Sequence, residues 1–122
     1  MFHKAWLSGA VLAVSLGVGA PAIAEDVVGD AANGATVFNA CKTCHLLEAG
    51  KKSRPTGPNL HGVVDRAAGT EATYTRFSPA MKNSGITWTE DNLHAYLENP
   101  RTFIKGNRMA YAGVKDAQSV LM

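Results

Sequence analysis

Cys41-Lys42-Thr43-Cys44-His45 reads C-x-x-C-H, and the rest of the chain is best read outward from it. The pattern is that of covalent c-type haem attachment. Two thiols on one turn add to the two vinyl groups of one porphyrin, and the adjacent imidazole then lies beneath the iron as its proximal ligand. Thioether bonds hold such a group permanently, so a small domain keeps it without a closed pocket. A thioredoxin-like redox pair also uses C-x-x-C, but beside a βαβ pattern that this chain lacks. A zinc site needs four ligands, and the remaining ones would have to come from His61, His94 or carboxylates.

Composition agrees with this use of the cysteines. The chain has 122 residues and 2 cysteines, with 12 Lys+Arg against 10 Asp+Glu for a net charge of +2. Two cysteines cannot build a disulfide-rich scaffold, and a bridge between Cys41 and Cys44 would close too small a loop to restrain the unfolded chain. The charge is too small to indicate a nucleic-acid partner. The hydrophobic content of 46% is too high for a disordered chain.

Much of that apolar content is at the front. Met1 to Lys4 is weakly basic, Ala5 to Ala20 carries no charge, and Ala22-Ile23-Ala24 precedes Glu25-Asp26. This order describes a secretory signal peptide over 1–24, cleaved after Ala24, with a haem domain over 25–122 and a periplasmic destination. The competing reading is an uncleaved anchor, for which the uncharged run falls short of the roughly 20 residues that span a bilayer. No later stretch is comparably apolar, so no stable membrane insertion is expected after cleavage.

Helical signals outnumber strand signals in 25–122. Asp30 is placed to cap a helix carrying Gly34, Val37, Phe38 and Cys41. Ser78-Pro79 is an N-cap followed by a first-turn proline, with Gly85 suited to the stop. Thr87 or Thr89 caps a segment with Glu90 and Asp91 in its first turn, ending before Pro100. Asn99-Pro100 opens another short turn. Loops rich in Gly, Pro and Lys separate these, notably Glu48 to Pro58 and Gly62 to Thr75. The expectation is an all-α domain whose long loops fold around something.

A sixth iron ligand has five candidates: Met81, Met109, Met122, His61 and His94. Met109 lies in Gly106-Asn107-Arg108-Met109-Ala110-Tyr111-Ala112-Gly113, a glycine-bounded loop that can lay backbone against a flat ring. Met122 is terminal, and Met81 falls inside a predicted helix. Spacing favours Met109.

Taken together, CKTCH, TGPNLHGVV at 56–64, Arg66, Tyr74, GITW at 85–88, YLENP at 96–100 and GNRMAYAG at 106–113 resemble the class I cytochrome c family, from Gly29 to about Gly113. The resemblance implies one covalent haem c on Cys41 and Cys44, with His45 and Met109 as axial ligands. It implies that the Pro58 carbonyl accepts the proximal imidazole N–H, and that Arg66, Tyr74 and Trp88 hydrogen-bond a buried propionate. Tyr96 would donate to the methionine sulfur, and Gly34 and Phe38 would meet a C-terminal helix. Without the resemblance, Arg66 reads as a surface charge and Tyr74 and Trp88 as core aromatics. His61 and His94 take no ligand role in it.

The implied activity is one-electron transfer by a carrier that is not an enzyme, because filled axial sites leave no vacancy for oxygen or peroxide. A methionine ligand raises the reduction potential. Lys42, Lys51, Lys52 and Arg54 cluster against Glu48 alone, and Arg101, Lys105, Arg108 and Lys115 have no acid among them. In the family such residues ring the haem edge and meet acidic docking surfaces of membrane redox complexes. The partners implied are a cytochrome bc-type complex as donor and a terminal oxidase or photosynthetic reaction centre as acceptor, each met by a monomer. The chain departs from the family at its end, where KDAQSVLM over 115–122 makes an unusually short C-terminal helix. A loosened fold would release Met109 and give one alternative, a weak haem peroxidase with a labile sixth ligand; a separate alternative is a redox subunit of a larger dehydrogenase.

Overall fold

The structure, a computed structural model, describes residues 29–115. The expected leader over 1–24, the chain after Lys115 with its short C-terminal helix, and Met122 lie outside the described residues.

Among the described residues four short helices form where capping side chains start them. Asp30 is extended, and its carboxylate accepts from the backbone N–H of Ala32 at 2.9 Å and of Asn33 at 3.3 Å, opening α1 (Ala31–Val37). α1 tightens into a 3-10 turn at Phe38–Ala40, which delivers the chain to Cys41. Ser78 caps α2 (Pro79–Lys82), with proline at its first position. α2 stops at Lys82 with Asn83 as its cap; the Ser84 hydroxyl donates to the Met81 carbonyl at 2.9 Å, and Gly85, the expected stop, turns the chain away at φ 68°. Thr89 caps α3 (Glu90–Glu98), while Thr87 offers its carbonyl to the Asn92 side chain. Glu90 and Asp91 in the first turn of α3 suit the positive end of its dipole. Asn99 then caps α4 (Pro100–Phe103).

Among the described residues there is no strand, only isolated bridges at Arg54–Gly57 and Ala67–Thr87. The architecture is all-α with long loops. The core is thin: Ala68, Trp88, Tyr96 and Ile104 form its buried cluster. Met81, Ile86, Leu93, Leu97, Phe103 and Met109 pack against it half-buried. Trp88 and Tyr96 pack with their rings tilted by 57° and 4.9 Å between centroids, and Phe103 meets Tyr96 edge-on at 6.2 Å. A core of this size leaves much of the loop surface in need of a further partner.

The loops from 41 to 78 are held by polar side chains instead. Asn59, 5% exposed, donates its amide protons to the carbonyls of Glu48 (2.9 Å) and Lys51 (2.8 Å) and accepts from the His61 N–H at 2.9 Å. Ser53 accepts from the Asn59 N–H at 2.8 Å and donates to the Glu71 carboxylate. Thr73 bonds both Ser53 and Glu71. This cluster joins the loop after His45 to the loop before α2.

Candidate functional site

The site begins where α1 ends. The Phe38 carbonyl accepts from the N–H of Cys41 (2.8 Å) and of Lys42 (3.1 Å). The Cys41 carbonyl then accepts from Cys44 (3.0 Å) and His45 (2.9 Å). Residues 41–45 are thus one helical turn, and residues three and four apart on such a turn share a side. Both cysteines are free thiols, Cys41 half-buried and Cys44 exposed. Burial, with the neighbouring Cys44 thiol adding to it, pushes the Cys41 thiol up. That is opposite to the lowered value of a thioredoxin-type pair.

His45 is oriented from behind. Its Nδ1 lies 2.7 Å from the Pro58 carbonyl oxygen. A carbonyl only accepts, so Nδ1 carries the proton and Nε2 keeps its lone pair free. Burial holds the imidazole below its ordinary value, against the opposing effect of Pro58, so the ring is neutral at pH 7. The ring rests on Gly57, where a Cβ would fall 2.7 Å from His45 Cε1 and 2.8 Å from the Cys44 carbonyl. Thr56 donates to the Cys44 carbonyl at 3.3 Å, and the Leu60 N–H to the Leu46 carbonyl at 2.8 Å, so loop 56–60 lies clamped on the cysteine turn.

Met109 lies on the core side, half-buried against the Tyr96 cluster. The Tyr96 hydroxyl is 3.8 Å from the Met109 sulfur. Tyr96 is 6% exposed, and burial pushes its hydroxyl up to about 12. It is therefore a neutral donor at any physiological pH.

The other expected site residues divide. Arg66 and Trp88 come together through backbone: the Trp88 N–H donates to the Arg66 carbonyl at 2.9 Å. The Arg66 guanidinium donates to the carbonyls of Asn59 (3.0 Å) and His61 (3.2 Å). Trp88 is buried. Tyr74 sits on a separate loop and makes its ring contact with Phe77, edge-on at 4.8 Å. Among the other candidate ligands, Met81 is half-buried against the core, and His61 is exposed with Nδ1 3.2 Å from the Leu47 carbonyl. Sequence reading missed Asn59, Gly57 and Asn107, which position the loops around the candidate ligands. For Asn107 a signal existed: an Asn side chain in a loop readily accepts from the backbone N–H two residues on, here that of Met109.

These residues fit a c-type haem. Two free thiols share a turn with an imidazole whose outer nitrogen is bare, and a thioether sulfur lies beside a buried hydroxyl. The thin core is what a domain wrapped on a large flat group would have.

Comparison with known proteins decides the matter: the cytochrome c family model matches residues 31–119. The chain belongs to the cytochrome c family. It is 44% identical to cytochrome c2 of Blastochloris viridis over 110 residues, covering 90% of this chain and 80% of that protein. It is also 44% identical to cytochrome c of Arabidopsis thaliana, over 71% of this chain and 77% of that one. Among solved structures, cytochrome cH from Methylobacterium extorquens superposes with a TM-score of 0.69 at 40% identity. That match covers 75% of this chain and 90% of that one. This member of the cytochrome c family therefore has the class I fold and carries one covalent c-type haem, for which its two cysteines, Cys41 and Cys44, fit the attachment motif. It is grouped with electron carriers. Among the described residues no helix is long and apolar enough to cross a membrane.

Proposed function

We propose that this cytochrome c shuttles single electrons with its iron held between His45 and Met109. The carrying observation is the Met109 sulfur lying 3.8 Å from the Tyr96 hydroxyl in the loop after α4. A second protein ligand separates a closed electron-transfer site from an open one. When bound, the haem supplies a one-electron iron couple whose potential a methionine ligand raises.

The protein's own residues do the rest. The Pro58 carbonyl takes the Nδ1 proton's hydrogen bond, which orients the His45 ring and makes Nε2 a better donor. Tyr96 draws density from the sulfur. Trp88, Tyr96 and Ile104 exclude water from that side, and a low dielectric disfavours the additional positive charge of ferric iron. Arg66, Tyr74 and Trp88 are assigned to the propionates, with Arg66 already held by two carbonyls. No residue is assigned a catalytic role.

Docking is assigned to the exposed Lys42, Lys51, Lys52, Arg54, Arg101, Lys105, Arg108 and Lys115. Several of these bond neutral acceptors: Lys42 to the Asn39 amide oxygen, Arg108 to the Arg76 carbonyl, Lys115 to the Ala112 carbonyl. Such partners fix the side chains without cancelling their charge. The surface suits acidic patches on a cytochrome bc-type donor and on a terminal oxidase or reaction-centre acceptor, met by a monomer in the periplasm after cleavage behind Ala24.

The optical spectrum of the oxidised, haem-loaded protein at neutral pH tests this reading. A methionine–iron charge-transfer band with slow cyanide binding is expected. No band, with ready binding of cyanide and carbon monoxide, would overturn it in favour of the peroxidase alternative.

A further inference from the structure

Asn107 makes four hydrogen bonds with one amide. Its Nδ2 donates to the Pro100 carbonyl at 2.7 Å and to the Ile104 carbonyl at 2.9 Å. Its Oδ1 accepts from the Met109 N–H at 2.9 Å and lies 3.4 Å from the Tyr96 hydroxyl. A primary amide has two donors and two acceptor lone pairs, so none is spare. Its orientation is unambiguous, because both groups facing Nδ2 are carbonyls and Oδ1 faces an N–H. Pro100 is fully buried and Ile104 is 5% exposed, so the amide is anchored on the enclosed start of α4 and on the residue that ends it.

The Tyr96 hydroxyl has one proton and two acceptors within reach, Asn107 Oδ1 at 3.4 Å and the Met109 sulfur at 3.8 Å. An amide oxygen is the stronger acceptor and a thioether the weaker. Whatever share Asn107 takes is withdrawn from the sulfur.

The geometry points to Asn107 as a positioning residue with two roles: it holds the Met109 backbone against α4, and by competing for the Tyr96 proton it keeps the sulfur a better electron donor than Tyr96 alone would allow. The inference rests on Met109 being the sixth ligand. A sulfur relieved of a hydrogen bond donates more strongly and favours the ferric state, so Asn107 moderates a potential that Tyr96 raises.

The test is a double-mutant cycle on the haem-loaded protein, read by redox titration and by the charge-transfer band. Asn107→Ser keeps a short acceptor for the Met109 N–H two residues on and one hydroxyl proton for the Ile104 carbonyl three residues back, but not the reach to Tyr96. Expected in Asn107→Ser is a retained band and about a threefold rise in the ferrous:ferric ratio at fixed ambient potential, from one strengthened neutral hydrogen bond. Tyr96→Phe should lower that ratio, and adding Asn107→Ser to Tyr96→Phe should not raise it. Asn107→Ala, which removes the backbone hold as well, should weaken the band. An equal shift from Asn107→Ser in both backgrounds, no shift in either, or loss of the band without dependence on Tyr96 would each overturn the inference. A wild-type protein without the band would instead overturn the assignment of Met109 itself. The two failures are therefore distinct.

Discussion

Gly57→Ala is the sharpest test of how His45 is held. A Cβ there would lie 2.7 Å from His45 Cε1, 2.9 Å from His45 Nδ1 and 2.8 Å from the Cys44 carbonyl oxygen. None of these is the end of a flexible chain. The ring is pinned by Pro58 and the carbonyl belongs to the cysteine turn. Overpacking of a rigid site costs about 1–3 kcal/mol, and moving the ring away from Pro58 forfeits about 0.5–1.5 kcal/mol more. Gly57 does not have positive φ, so alanine adopts its backbone and recovers about 0.4–1 kcal/mol by restricting the unfolded chain. The net loss is about 0.5–4 kcal/mol, or roughly 2–30 °C in Tm for a domain of this size. The potential should move as well, upward, because a His45 less tightly bonded to Pro58 is a poorer donor to ferric iron. Gly50→Ala is the control. Gly50 has φ 72° and nothing within 4 Å of its Cβ position, so alanine there costs about 1–2 kcal/mol of left-handed strain and leaves the potential alone. Thermal melts and redox titrations of the two variants decide the point. Equal potentials for both variants would refute the steric clamp on His45.

Glu71→Gln tests the loop cluster. Burial acts to raise the Glu71 carboxyl, but hydrogen bonds from Ser53 and Thr73 and the Arg66 charge together hold it below its ordinary value of 4.5. Its contribution is therefore present at neutral pH and lost as pH falls through its lowered folded-state value. The variant should be less stable than wild type by up to about 1 kcal/mol at pH 7, with the gap closing in strong acid; a gap that widens on acidification would contradict this sign. Asn59→Ala strands the Glu48 and Lys51 carbonyls and should cost about 2–4 kcal/mol in chemical denaturation, and a loss under 1 kcal/mol would show that water replaces the amide. Reversing Arg101 and Lys105 to Glu should slow association with an acidic redox partner and flatten its salt dependence. Stopped-flow rates across ionic strength check this, and unchanged slopes would move the docking face elsewhere.

Local signals in the chain translated directly into structure. Asp30, Ser78, Thr89 and Asn99 all cap the helices they precede, and the two prolines sit at first helical positions, because capping acts between residues two or three apart. The C-x-x-C-H turn and the glycine-bounded methionine loop were legible for the same reason. What escaped reading acts across loops. Asn59 reaches back to Glu48 and Lys51, and Ser53 reaches forward to Glu71, with no periodicity to announce either pair. Gly85, read as the stop after α2, takes φ 68° just beyond the Asn83 cap, while the Ser84 hydroxyl that bonds the Met81 carbonyl had no signal in the sequence. Gly57 looked like one turn glycine among 12; its contact with His45 exists only once the loops have folded.

The two sides of the proposed iron site are built to different standards of rigidity, and this bears on which function the protein has. His45 lies on a one-turn segment whose two cysteines fit covalent attachment, backed by a backbone carbonyl and packed on a residue with no side chain. Every one of those restraints is backbone or covalent. Met109 stands on a loop fastened by backbone only at its ends, Asn107 N–H to the Ile104 carbonyl (3.1 Å) and Val114 N–H to the Leu97 carbonyl (2.8 Å); between them side chains hold it: the Met109 N–H bonds Asn107, its sulfur faces Tyr96, and the Arg101 reach to the Ala110 carbonyl is 3.5 Å. Side-chain restraints are lost one at a time and open locally at less cost than a packed turn. Ligand loss should therefore occur first at the sixth position, and its ease should follow the state of Asn107. On this argument the carrier and the weak peroxidase are two settings of one site. Variants at Asn107 that shed the charge-transfer band should gain cyanide binding in the same proportion, while variants at Gly57 should shift potential before any gain appears.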